Sequence, residues 1–146
     1  MKNKLLNGHI IQYLAGADVV SGQPVVIGNR VGIALANIAN GSMGSIEMEG
    51  CYSVTKVSAQ AWTAGDEVFY DSNSSNFTTV GTANTFAGHA IDAASNPSST
   101  GNIRLTPGYK KMTVQADTVA ADLTAMKVDF NLLLEKLKLN GLMKNS

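Results

Sequence analysis

Ser21-Gly22-Gln23-Pro24-Val25-Val26-Ile27-Gly28-Asn29-Arg30-Val31-Gly32-Ile33-Ala34-Leu35-Ala36 carries two short, largely apolar runs, each bounded by residues that tight turns require. Glycine supplies positive φ and proline a fixed φ at such corners. Four to six apolar residues between corners are too few for a helix and suit a strand. The same grammar continues outward in both directions. Runs at 9–13, 24–27, 31–36, 45–48, 52–57, 67–70, 77–80, 85–91 and 102–105 are separated by turn residues such as Asn40-Gly41, Ala64-Gly65-Asp66 and Pro107-Gly108. So many short strands predict a mainly β protein, a small β-barrel or sandwich. Ile46-Glu47-Met48-Glu49 alternates apolar and acidic, which predicts a strand with one wet face. Pro24-Val25-Val26-Ile27 is apolar throughout, which predicts burial on both faces. The stretches 72–76 and 93–101, rich in Ser and Asn, read as loops, the second long enough to be mobile or ordered by a neighbour.

After Lys110-Lys111 the hydrophobic period changes. Val119, Leu123, Met126, Phe130, Leu133 and Leu137 recur at alternating spacings of four and three, the a/d pattern of a coiled-coil seam. A C-terminal amphipathic, coiled-coil-like α-helix is predicted over 116–139, with Thr113, Asp117 and Thr118 near its start and Asn140-Gly141 as its stop. Such a helix either lies back on the β domain or joins copies of itself. Asp117, Asp122, Asp129 and Glu135 interleave with Lys127, Lys136 and Lys138 along its flanks, which favours self-association. The expected organisation is therefore an N-terminal arm over 1–8, a β-rich domain over 9–107 and a helical extension over 108–146. The arm holds Lys2, Lys4, Leu5 and Leu6, two cations and two leucines suited to an acidic surface.

The chain has 146 residues, with eleven basic against eleven acidic side chains, and only 15% are charged. A soluble protein usually carries about 25%. Zero net charge removes the field that a nucleic-acid binder relies on, and no apolar run approaches the ~20 residues of a membrane span. Neither nucleic acid nor membrane is an expected partner, and the N-terminal segment, broken by Asn7, Gly8, His9 and Gln12, is not expected to be a secretory signal. A surface of Ser, Thr, Asn, Gly and Ala suits packing against another protein. The one cysteine, Cys51, reads as a small buried hydrophobe. His9 and His89, the only histidines, have no nucleophile or third group placed beside them in sequence. Asp66, Glu67 and Asp71 are the densest acids, but they fall at strand ends with no oxygen-rich loop between them, which argues against calcium or glycosidase chemistry. Trp62 and Tyr70 read as core anchors. No enzyme, metal or cofactor is expected.

Taken in order, Val19 to Gly28, Val31 to Leu35, Ile46 to Gly50, Tyr52 to Lys56, Ala61-Trp62-Thr63-Ala64-Gly65-Asp66-Glu67-Val68-Phe69-Tyr70-Asp71, Ala87 to Ala90 and Gly101 to Leu105 resemble the small capsid cement, or decoration, proteins of tailed phages. The resemblance covers about residues 5 to 107. It implies a virion protein made in the host cytoplasm that binds the outer surface of an icosahedral head and bridges its major capsid proteins, with no catalytic residue and no cofactor. It also implies self-association, a homotrimer at threefold positions being favoured and a homodimer possible. The segment from Lys110 onward departs from the shorter family form, so copy number and placement do not transfer with it. A carbohydrate-binding or adhesive β-module, using Trp62 and the Asn- and Ser-rich loops, is the alternative.

Overall fold

The computed structural model describes residues 8–106 and 122–139. Wherever turn residues punctuate an apolar run, a strand forms: β1 (Ile10–Leu14), β2 (Pro24–Ile27), β3 (Arg30–Ala34), β4 (Met43–Glu47), β5 (Gly50–Thr55), β6 (Glu67–Asp71), β7 (Asn76–Thr78), β8 (Thr85–Ala90) and β9 (Thr100–Leu105). They make two antiparallel sheets, one ordered β1-β4-β3-β2 and one ordered β5-β9-β8-β6-β7. The sheets do not close into a barrel, so that half of the expectation is corrected. The two ends of the five-stranded sheet meet only at a parallel bridge between Lys56 and Phe77, where the Val57 N–H donates to the Phe77 carbonyl at 3.0 Å. One bridge is not a ladder.

Alternation along β3 explains the layering. Val31 and Ile33 point to one face, where they join Val54, Trp62, Val68, Tyr70, Phe77, Ala87, Ile103 and Leu105 in a core shared with the five-stranded sheet. Ala34 points to the other face and joins Ala15, Val19, Val25, Ile38, Ile46 and Met48. That second core is roofed by the loops after β1 and β3, which clasp each other through Val19 and Ile38 (2.8 and 2.9 Å). Each large apolar side chain fully buried in either core contributes about 1.5–3 kcal/mol. Ile46 and Met48 are buried while Glu47 is half-buried and Glu49 exposed, the alternation expected there. The expectation for 24–27 is corrected: only Val25 is buried, because β2 lies at the edge of its sheet rather than inside it.

Two glycines are required by close approach. A Cβ on Gly88 would sit 1.9 Å from the Arg104 carbonyl oxygen, so β8 reaches β9 only without a side chain there. A Cβ on Gly101 would sit 2.4 Å from Trp62 Cζ3. Trp62 lies against β9 at this point, 2% exposed, and exchanges backbone hydrogen bonds with Ala94 (2.8 and 3.1 Å). Its ring also covers Lys56, whose Nζ is 5.6 Å from the ring centroid and donates to the carbonyls of Val57 (3.0 Å) and Gln60. The loop over 93–99 is thus ordered by its own chain, with Ser98 bonded to Ser58 and Asn96 to Ala59.

Between the sheets, the Tyr52 hydroxyl of β5 donates to Glu47 Oε2. Burial first, then this bond and the adjacent carboxylate charge, push the Tyr52 pKa well above its ordinary value. An unfolded tyrosine loses its proton near pH 10. Above that pH the unfolded chain sheds a proton that the folded chain keeps, so the Tyr52 contribution to stability is fully present below about pH 10 and is lost as pH rises further. Urea unfolding measured across the alkaline range should show this fall, and Tyr52→Phe should flatten it.

The chain divides into two units, Met1–Tyr109 and Lys110–Ser146. The second contains α1 (Leu123–Leu139), about 26 Å long at 1.5 Å per residue. It ends where the sequence predicts, but its described start is later than 116, and residues 116–121 lie outside the described residues. Asp122 is the cap: its Oδ1 accepts the Ala125 N–H at 2.8 Å. Lys136 and Lys138 occupy the last turn, where cations suit the helix dipole.

Candidate interaction surfaces

The groups with chemical potential are scattered over the β domain. His9 is exposed before β1, whereas His89 lies half-buried in β8 with its ring edge-on to Phe86 at 5.5 Å. Cys51 is exposed, which corrects the buried reading: Tyr52 and Val54 turn inward from β5, so the residue between Gly50 and Tyr52 points out. Asp66 Oδ2 accepts the Thr63 N–H at 2.7 Å and so serves its own turn. Asp71 accepts from the Ser74 hydroxyl (2.8 Å) and the Asn73 N–H (2.9 Å), bonds that hold its carboxyl below its ordinary pKa. These acids shape corners. Among the described residues, no group of three or more His, Cys, Asp or Glu side chains could hold a metal ion.

Apolar surface is the more informative feature. On α1, Leu123 is 82% exposed and Phe130 59%, and with Met126 and Lys127 they line one open groove of about 400 Å³. Leu133 and Leu137, further along the same seam, are half-buried. The helix thus brings five of the six predicted seam residues onto one stripe; Val119 lies outside the described residues, as do Lys2, Lys4, Leu5 and Leu6 of the arm. Leu123 and Phe130 are thus large apolar side chains left exposed among the described residues. Trp62 is buried, so its ring offers no platform for a sugar.

On the β domain, sequence reasoning passed over Leu14 and Met43. They are cross-strand partners at one end of the four-stranded sheet, 61% and 60% exposed. Alternation alone could have found Leu14, which shares a face with Ile10 and Gln12 rather than with buried Ala15.

A family model described as phage cement protein matches residues 6–105, more than half of the chain and nearly the whole described β unit. No curated protein and no solved structure matches the chain.

Proposed function

Because this chain belongs to the phage cement protein family, and so to the structural proteins of the phage capsid, we propose that it binds the outer surface of an icosahedral head and holds neighbouring copies of the major capsid protein together. The family match over the β unit is the observation that carries this reading. The mechanism is mass action: a protein that binds only the assembled shell stabilises it in proportion to occupancy and affinity. A low-charge surface of Ser, Thr, Asn and Gly supports it, since many modest contacts repeated by symmetry do the holding. The N-terminal arm, with Lys2, Lys4, Leu5 and Leu6, is proposed to lie on an acidic patch of the shell.

In this reading the α1 seam joins copies of the chain. Leu123, Phe130 and Leu137 occupy the a positions and Val119, Met126 and Leu133 the d positions. A parallel bundle in this register sets Asp122, a g position, against Lys127 of a neighbouring helix, an e position one heptad on, which supports self-pairing by charge. A homotrimer is the favoured form and a homodimer the second.

Heads stripped of the protein provide the test. Purified protein should co-sediment with them saturably, at a fixed ratio to the major capsid protein, and restored heads should survive heating or chelation that bursts bare ones. Failure to bind would overturn the capsid role, and glycan binding in its place would favour an adhesive module.

A further inference from the structure

Sheet edges invite pairing, and proteins normally block them with proline, lysine, bulges or a covering segment. Three of the four edge strands here are managed. In β2 the Ala34 N–H donates to the Gln23 carbonyl, so by alternation Pro24 and Val26 face outward, and Pro24 has no N–H to offer. The edges of β5 and β7 lean on each other at the Lys56–Phe77 bridge.

Among the described residues, the remaining edge, β1, has none of these devices. The Met48 N–H donates to the His9 carbonyl and the Ala15 N–H to the Ser42 carbonyl. With the register Ile11 to Ile46 and Tyr13 to Gly44, the odd residues therefore bond to β4, and the N–H and C=O groups of Ile10, Gln12 and Leu14 point away from it. No described residue bonds to them. The strand is five residues long, uncharged and free of proline, and Leu14 stands exposed at its end.

We propose that β1 pairs with β1 of a second copy of this chain, antiparallel about a twofold axis through Gln12. The pattern is self-complementary in that arrangement. Ile10 lies opposite Leu14 of the other copy, Gln12 opposite Gln12, and the outward N–H and C=O groups of all three residues meet one another. On the opposite face Ile11 lies beside Tyr13. Apolar meets apolar, amide meets amide, and no like charges are brought together. The exposed Leu14 gains a second apolar neighbour besides Met43. A contact of five residues per copy falls below the roughly 1,200 Å² of a standard stable interface, so it is weak singly and gains strength from repetition. This contact is independent of the α1 seam. With a threefold joint through the helices, which rests on the reading above, twofold joints through β1 would link trimers into a net.

Full-length protein carrying Gln12→Cys on a Cys51→Ser background tests the pairing. Directly paired residues of this kind have Cα atoms about 5.5 Å apart, within disulfide reach, so oxidation with copper phenanthroline should give a covalent dimer about tenfold or more faster than the unmodified chain does through its exposed Cys51. Adding Ile10→Lys to the first variant should abolish that advantage. In the unmodified chain, residue-resolved hydrogen exchange should show the Ile10, Gln12 and Leu14 amides slowing as protein concentration rises. Equal cross-linking rates overturn the proposal, as do amides that exchange freely at every concentration. Protection that appears only on phage heads, with no Gln12→Cys cross-link between copies there, also overturns it and assigns the edge to a capsid strand; concentration-independent protection overturns it and assigns the edge to the chain's own residues.

Discussion

Trp62→Ala is expected to cost about 3–5 kcal/mol of unfolding free energy, a large share of the about 5–15 kcal/mol that a domain of this size possesses. Two structures share that ring. It fills the space that Gly101 vacates on β9 and forms the apolar lid over the Lys56 ammonium. Removing it opens a cavity in the main core and leaves a buried cation with carbonyls alone. Trp62→Phe should cost much less. Phenylalanine keeps an aromatic face toward Lys56 and deletes the indole N–H, which is buried without a hydrogen-bond partner among the described residues. Urea midpoints should therefore rank wild type and Trp62→Phe close together and Trp62→Ala far below. Equal losses for both would mean that the full bicyclic indole, not an aromatic face alone, is required at this position.

Strand placement was legible because its causes are local. Each run between turn residues became a strand, most with ends shifted by a residue or two, and the seam on α1 was visible because helical period is equally local. What the sequence concealed depends on neighbours distant along the chain. Pro24-Val25-Val26-Ile27 looks like an inner strand, but only the strand order reveals that nothing lies beyond it. Lys56 directly follows β5, and its burial follows from Trp62, six residues later, returning over it while Gln60 turns a carbonyl inward. Cys51 is the instructive middle case. Parity with Tyr52 and Val54 already placed it outside, and its apolar character obscured that. The open edge of β1 needed both kinds of information: register from the fold and an uncharged, self-complementary pattern from the sequence.

A chain ending at Thr106 should keep its β unit folded yet bind stripped heads more weakly than the full chain, by about 10²–10⁴-fold if the α1 seam joins copies that engage several equivalent capsid sites. Both sheets and both cores are complete by Leu105, which is itself buried, so the cut removes no described part of either core. What it removes is α1. Once one subunit of a joined set is docked, the next binds at an effective concentration set by the joint, and that advantage disappears with the helix. Leu123→Lys with Phe130→Lys in the intact chain separates this cause from a direct grip of the helix on the shell. Those changes place like charges in adjoining a layers and should dissociate the oligomer in solution, with the same loss on heads. Light scattering and co-sedimentation on one preparation decide it. If the oligomer dissociates while head binding persists, α1 joins subunits without adding avidity; if the oligomer persists while head binding falls, α1 is a capsid-facing element and the joint between subunits lies elsewhere.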